Sequence, residues 1–257
     1  MLLILLGLVA ALGLALVLHF SFAPRIGADP AGARLQRIMA SPNQVDGRFR
    51  NVAETRMDMP ASAMPGLLWE FIKGGKGREP EDTIPAAAFD PAAWAAVPDS
   101  TLAVCWFGHS TLLIKVDGLT FLTDPVLGER ASAFSFMGPK RFPCAPQMSA
   151  DLLPHVDAVL ISHDHYDHLD HGTIVQLKAK RFIAPLGVGA HLERWGVPAA
   201  AITELDWWES GAFGPVRLTL APARHFSGRG LMNRFTTLWG SWVLEGRTKR
   251  VYFGADS

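Results

Sequence analysis

The segment ISHDHYDHLD at Ile161–Asp170 follows an apolar run typical of a buried strand and concentrates histidines and carboxylates within a few residues. Side chains two residues apart in extended backbone point to the same side, so His163, His165 and Asp167 are expected to converge on one metal ion. His168 points elsewhere and is placed to reach a second ion. Imidazole and carboxylate ligands suit Zn²⁺, and also Fe or Mn where oxygen ligands increase. A solvated polar loop is the alternative, which so dense a cluster disfavours.

Two further ligand types stand at predicted strand ends downstream. His225 follows the apolar run Val216–Ala221, and Asp256 follows Arg250–Phe253. A rigid sheet presents residues at the ends of its strands into a common cleft. We therefore expect His225 and Asp256 to join the cluster.

The surrounding sequence alternates strand and helix patterns from Thr101 onward, which predicts an α/β or α+β layered fold. Helices are predicted at Gly172–Lys180 and near Val188–Trp195. The predicted strands are Leu102–Phe107, Thr111–Val116, Leu119–Thr123, Ala158–Ser162, Arg181–Ala184, Ala201–Leu205, Val216–Ala221, Thr237–Leu244 and Arg250–Phe253.

The N-terminus begins with an apolar run, Leu2–Leu18, that extends to Phe22 as a helix about 30 Å long, enough to cross a bilayer core. No Lys or Arg precedes it, which favours a single-pass anchor over a cleaved signal of an exported or envelope protein. Residues 24–100 are rich in Pro and Gly and are interpreted as an irregular arm. The predicted division is an anchor at 1–23, the arm at 24–100 and a catalytic domain at 101–257.

The composition narrows the possible functions. Lys plus Arg and Asp plus Glu balance at 24 each, so no global charge favours a nucleic-acid partner. The two cysteines, Cys105 and Cys144, are far apart and indicate neither a disulfide framework nor a cysteine zinc site.

The motifs together resemble the metallo-β-lactamase superfamily, and within it the N-acylphosphatidylethanolamine phospholipase D-like branch with its bacterial RomA-type relatives. HxHxDH at His163–His168 is specific for the superfamily. The similarity runs from about Ala103 to Asp256, and the branch is indicated by FGHST at Phe107–Thr111, LTDP at Leu122–Pro125, GPKRF at Gly138–Phe142, ELDWWE at Glu204–Glu209 and LWGSW at Leu238–Trp242.

The resemblance implies a four-layer αβ/βα fold and two Zn²⁺ ions. One ion is held by His163, His165 and His225; the second is held by Asp167 and His168, and Asp256 bridges both. Members of the family carry one more histidine ligand beyond the equivalent of Asp256, and a truncated C-terminus is therefore expected here. Asp167 and Asp256 would also orient a metal-bridging hydroxide, and a homodimer is expected by analogy.

The implied activity is hydrolysis of an N-acylphosphatidylethanolamine-like phospholipid at a membrane, by attack of that hydroxide on phosphorus. The same ligand set serves lactonases and esterases, which gives the alternative enzyme class. A membrane-bound metal-binding protein without turnover is the third hypothesis.

Several candidates carry two interpretations each. Tyr166 either hydrogen-bonds a substrate oxygen or packs, and Asp124 either orients a ligand histidine or initiates the turn before Pro125. His109 either approaches the metal site as an outer partner or satisfies backbone groups. The tryptophans of ELDWWE and LWGSW either line an acyl groove or fill the core. Lys140-Arg141 either meets phosphate or forms a solvated pair.

Overall fold

The computed structural model of this protein describes residues 2–55, 60–74, 77–230 and 232–256. Its helices are α1 (Leu2–Phe22), α2 (Gly32–Met39), α3 (Met64–Lys73), α4 (Pro91–Ala95), α5 (His171–Gln176) and α6 (Gly189–Arg194). Its strands are β1 (Gln44–Val45), β2 (Arg48–Phe49), β3 (Ile84–Pro85), β4 (Ala103–Trp106), β5 (Leu112–Val116), β6 (Leu119–Thr123), β7 (Cys144–Ala145), β8 (Ala158–Leu160), β9 (Phe182–Pro185), β10 (Ile202–Leu205), β11 (Ser210–Phe213), β12 (Val216–Ala221), β13 (Ser241–Glu245) and β14 (Arg250–Phe253).

Two sheets form the body of the protein. The larger has six strands in the order β10-β9-β8-β6-β5-β4, in which β10, β9, β8 and β6 are parallel and β5 and β4 are antiparallel. The smaller is an antiparallel sheet in the order β11-β12-β13-β14. The mixed α/β class predicted from the sequence is confirmed.

The larger sheet is covered on both faces. Alternate residues of its strands point to opposite sides and so enter two different cores. Ile114, Phe121 and Leu160 face the smaller sheet, where they share one apolar core with Leu218 and Trp242. The alternate set packs in a second core against α4, α5 and α6, and consists of Leu113, Leu122, Val159 and Ile161 with Trp94, Ile174 and Leu192.

The smaller sheet has an exposed outer face, which carries Arg217, Arg250 and Tyr252. Across the described ranges the layers are therefore helices, sheet and sheet, and the second helical layer that the resemblance implies is not formed by these residues.

Three element predictions need correction. The helix predicted at Gly172–Lys180 ends at Gln176, because Leu177 adopts extended backbone. The strand predicted from Thr237 begins only at Ser241, because Leu238 and Gly240 donate instead to carbonyls of Leu186 and Ser162 outside the ladder. The edge strand β11 was not predicted, since Ser210–Phe213 lacks an apolar alternation.

The arm is partly ordered by core contacts. Ile38 of α2 and Phe49 of β2 are fully buried in the core between the sheets, and Trp94 of α4 lies in the other core. β3 pairs in parallel with β7 and so attaches the arm to the loop before β8. Helix α1 is long and apolar enough to cross a membrane from Ile4 to Phe22, and that stretch is not buried inside the protein.

Candidate metal centre

The ligand-type residues predicted from the sequence collect where strands of the two sheets end. Asp124 follows β6, and the segment from His163 to His168 follows β8. His225 and Asp256 follow β12 and β14 of the smaller sheet. One edge of the sandwich therefore receives side chains from four strand ends, as expected for a site carried on rigid elements.

The first cluster consists of His163, His165, His225 and Asp256, whose ligating atoms all lie within 4.8 Å of one another. Nδ1 of His165 lies 2.9 Å from Nε2 of His163 and 3.1 Å from Nε2 of His225. Nε2 of His225 is 3.5 Å from Oδ2 of Asp256. Three imidazoles and one carboxylate thus face a common point.

The second cluster consists of His109, His168 and Asp256. Nε2 of His168 lies 3.3 Å from Oδ1 of Asp256 and 3.1 Å from Nε2 of His109. Asp256 offers one carboxylate oxygen to each cluster, so the structure places it between two adjacent sites.

The donor sets fit divalent metal ions. Atoms bound tetrahedrally to zinc at 2.0–2.1 Å are about 3.3 Å from one another. Three of the separations between ligating atoms of the first cluster are 2.9, 3.1 and 3.5 Å, and all of its ligating atoms lie within 4.8 Å of one another. Nitrogen and carboxylate ligands also suit iron and manganese. The chemistry of the residues therefore agrees with a two-metal centre without fixing the metal.

Asp124 holds the ring of His168 in place. Both residues are fully buried, and His168 Nδ1 lies 2.8 Å from Asp124 Oδ2. Because the carboxylate only accepts, Nδ1 carries a proton, and Nε2 faces the second cluster, where a metal ion would take the place of the second proton. Burial opposes the charge on His168, but the carboxylates of Asp124 and Asp256 outweigh it and raise the pKa of His168 to about 10.

In the first cluster, by contrast, the histidines are kept neutral because burial lowers their pKa values. Burial and neighbouring histidines lower the pKa of His163 well below its usual value and lower the pKa of His225 to about 4. Burial also lowers the pKa of His165. Neutral imidazoles keep their lone pairs available for a metal ion at neutral pH.

Asp164 stabilises the loop that carries the ligands, a role the sequence did not assign. Its buried carboxylate accepts from Gly228 N at 2.7 Å and Thr237 Oγ1 at 2.8 Å, and it lies 3.3 Å from His191 Nε2. Burial opposes ionisation, but His191, with smaller contributions from His165 and the backbone N of Gly228, holds the pKa of Asp164 well below its ordinary value. The alternation that sends His163 and His165 inward was the signal that Asp164 faces the other way.

Arg229 also supports this loop and was not predicted. Its buried guanidinium donates to the carbonyls of Asp164 and Leu169, each at 2.7 Å, and to the carbonyl of Arg25 at 2.6 Å. It lies 4.1 Å from the centre of the Tyr166 ring. Tyr166 donates its hydroxyl to the carbonyl of Arg229 at 2.8 Å. Of the two interpretations of Tyr166, packing within the protein is therefore the one that an observed contact supports.

A cavity of about 1320 Å³ lies beside the clusters. Its polar end is formed by His109, His165, Tyr166 and Asp167. Lys140 and Arg141 also line it, together with Glu129. The apolar walls come from the arm, from β4 and from the loop before β7, and include Ile84, Phe89, Trp94, Val104, Trp106 and Phe142.

The tryptophans of the two sequence motifs take no part in this cavity. Trp207, Trp239 and Trp242 are buried in the core between the sheets, and Trp208 is exposed. The acyl-groove hypothesis for these residues is therefore wrong, since their size is used in packing. Aromatic residues of the arm and of β4 line the cavity instead.

Comparison with known proteins agrees with this geometry. A family model described as "Beta-lactamase superfamily domain" matches residues 120–257, more than half of the chain. The chain belongs to the metallo-β-lactamase superfamily. Within this superfamily the chain is 44% identical over 237 residues to the uncharacterized protein Rv0906 of Mycobacterium tuberculosis. The matched region covers 90% of this chain and 62% of that protein.

A second relative supports the branch indicated by the motifs. The N-acyl-phosphatidylethanolamine-hydrolyzing phospholipase D 1 of Caenorhabditis elegans is 37% identical over 171 residues, covering 62% of this chain and 48% of that protein. This superfamily chain thus spans less than two thirds of the length of both relatives. Among solved structures, CmlA, a diiron β-hydroxylase from Streptomyces venezuelae, is similar with a TM-score of 0.46 at 23% identity, covering 61% of this chain and 30% of that one.

Proposed function

We propose that this chain forms the metal centre of a metal-dependent hydrolase that cleaves N-acylphosphatidylethanolamine-like phospholipids at the phosphodiester. The observation that carries the proposal is the cavity, which joins the ligand cluster to long apolar walls. A pocket with one polar end and one apolar body suits a substrate with the same division, such as a phospholipid. The similarity to a phospholipase D points the same way.

The cations beside the cavity suit a phosphate group. Arg141 donates to the carbonyl of Val126, which fixes its guanidinium near the cavity wall. Lys140 pairs with Glu129 at 3.1 Å and stays exposed. A phosphodiester placed between these two side chains and bound metal ions would meet positive charge on both sides.

Metal ions held by these residues would supply Lewis acidity toward phosphate oxygens and would lower the pKa of water. Asp256 serves both clusters, and Asp124 keeps the ring of His168 turned toward the second. Burial opposes the ionisation of Asp167, but His109 and His168 hold its pKa well below the ordinary value. Asp167 therefore enters the cavity as an anion able to orient the attacking water.

The anchor has contacts that support its retention. Nε2 of His19 lies 3.1 Å from the carbonyl oxygen of Ala133, and the rings of His19 and Phe134 are stacked at 4.3 Å. Just after the helix, the carbonyl of Pro24 accepts from Trp195 Nε1 at 2.6 Å. We therefore infer that α1 stays attached as a membrane anchor, since cleavage after Ala23 would remove the contacts of His19.

The remaining features implied by the family stay predictions. They are zinc as the metal, the four-layer fold, and a homodimer in contact with the membrane.

The proposal is tested with the full chain reconstituted in vesicles that contain N-acylphosphatidylethanolamine, after loading with Zn²⁺. Release of N-acylethanolamine and phosphatidate is the expected result. His165→Ala removes a ligand of the first cluster and is expected to lower the rate at least 100-fold. His155→Ala is the matched control, because His155 is an exposed histidine outside the cluster.

Three results would overturn the proposal. Opening of a lactone without cleavage of the phospholipid would assign the centre to the lactonase class. Metal binding without either reaction would leave a metal-binding protein without turnover. A rate unchanged by His165→Ala would remove the cluster from the reaction.

A further inference from the structure

The turn between β4 and β5 brings one histidine into the second cluster. We propose that His109 is a direct ligand of the second metal ion, together with His168 and Asp256. This inference rests on the proposed metal centre and assigns His109 a closer role than the outer position expected from the sequence.

The backbone of this turn is fixed in an uncommon conformation. Gly108 has φ of 107° and His109 has φ of 45°, in the left-handed region that residues with a Cβ seldom adopt. Trp106 Nε1 donates to the carbonyl of His109 at 2.8 Å, and Phe107 N donates to the carbonyl of Thr111 at 2.9 Å. Such a conformation persists where surrounding contacts impose it, and it is typical of functional sites.

The position of the imidazole is that of a ligand. His109 Nε2 lies 3.1 Å from His168 Nε2, close to the roughly 3.3 Å between two atoms bound to one tetrahedral ion. Nδ1 of His168 is already occupied by Asp124, so Nε2 is the nitrogen that His168 directs at His109. A cation bound between these two nitrogens would be held by both of them, in place of the proton on His168 Nε2.

A competing role would be that of a hydrogen-bond partner for Asp167. His109 Nε2 lies 3.4 Å from Asp167 Oδ2, so the imidazole is also placed to orient that carboxylate. The two roles differ in one respect: a ligand affects metal binding even when Asp167 can no longer accept the bond, whereas an orienting residue does not.

The test measures metal binding and not turnover. The full chain is purified, stripped of metal and titrated with Co²⁺ and with Zn²⁺, and bound metal is counted by elemental analysis while Co²⁺ absorbance reports the ligand field. Two equivalents are expected for the unmodified chain. His109→Asn is expected to weaken the second equivalent at least tenfold and to change its Co²⁺ spectrum, leaving the first equivalent intact.

Controls separate ligation from folding and from orientation. Asn tolerates the left-handed backbone, and His109→Gly gives a second variant without strain. Circular dichroism verifies folding, and His155→Ala is expected to bind two equivalents. In an Asp167→Ala background, which removes the acceptor, adding His109→Asn is expected to weaken the second equivalent further.

The inference is overturned if His109→Asn or His109→Gly binds two equivalents with unchanged affinity, if the double variant binds like Asp167→Ala, or if the unmodified chain binds a single ion. Because no substrate is used, these results are independent of whether the chain cleaves phospholipids.

Discussion

Asp124 shows how one buried carboxylate organises the second cluster. It accepts from the backbone N of Ser162 at 2.7 Å, from the Ser162 hydroxyl at 2.6 Å and from His168 Nδ1. A carboxylate behind a ligand histidine fixes its tautomer and raises its basicity. The sequence allowed this role or a simple turn before Pro125, and spacing alone did not distinguish them because the partner lies 44 residues away.

Asp124→Asn is therefore expected to lower the affinity for the second metal ion by about 10- to 100-fold. The amide keeps the shape but lacks the charge and an acceptor for each donor. Metal titration of the full chain measures the effect, with Asp151→Asn at an exposed position as the control. Equal affinity in both variants would contradict the role of Asp124.

His225 makes the metal-free protein sensitive to acid. Burial, followed by the neighbouring His165, lowers the pKa of His225 to about 4, below the 6.5 of an unfolded chain. The unfolded state then binds the proton more readily, so this contribution to stability is lost as pH falls from about 6.5 toward 4. In urea denaturation of the metal-free chain, His225→Gln is expected to show a weaker loss of stability between pH 7 and pH 4. A slope identical to that of the unmodified chain would refute this.

At the scale of elements, the sequence predicted the strands of the larger sheet well. Alternation and apolar runs gave β5 and β6 to within a residue, because these strands are buried and have little choice of register. The arm, residues 24–100, is the part of the chain whose structure the sequence predicted least. Its many prolines indicated irregular structure, but its burial depends on contacts with distant segments that no local pattern reports, as Trp94 illustrates.

Trp94→Ala tests whether the arm is part of the folded body. Trp94 is 8% exposed and packs near Phe89 with a ring separation of 6.1 Å. Removing a buried tryptophan is expected to cost about 3–5 kcal/mol in the free energy of unfolding. Denaturant titration measures it, and Trp69→Ala, at an exposed position on α3, is expected to change stability by less than about 0.5 kcal/mol. Equal small effects would show that the arm is dispensable.

At the scale of the whole molecule, the loop Glu129–Phe142 connects the anchor to the cavity. Ala133 and Phe134 contact His19, which lies about 4.5 Å of helix rise before Phe22. The same loop contributes Lys140, Arg141 and Phe142 to the cavity. A helix that enters a bilayer would hold this loop at the polar interface.

Phe136 and Met137 at the tip of this loop are 74% and 47% exposed. Phe136→Ser combined with Met137→Ser is expected to reduce cleavage of phospholipid in vesicles about tenfold, because the loop loses its apolar contact with the bilayer. Cleavage of a short-chain, water-soluble analogue is expected to stay unchanged. Val175→Ser, an exposed apolar position on α5, is the control. An equal loss on both substrates would contradict a membrane role.

Arg229 joins two parts of the molecule that have different surroundings. One guanidinium holds the carbonyl of Arg25, three residues after α1, and the carbonyls of Asp164 and Leu169 on either side of the ligands. A span of 19 residues is about 28 Å long and would tilt in a bilayer whose hydrocarbon core is thinner than that. Because the joint is rigid and buried, that tilt would be transmitted as a torque on the ligand loop. If α1 spans a membrane, bilayer thickness would therefore act on the candidate metal centre through a single side chain.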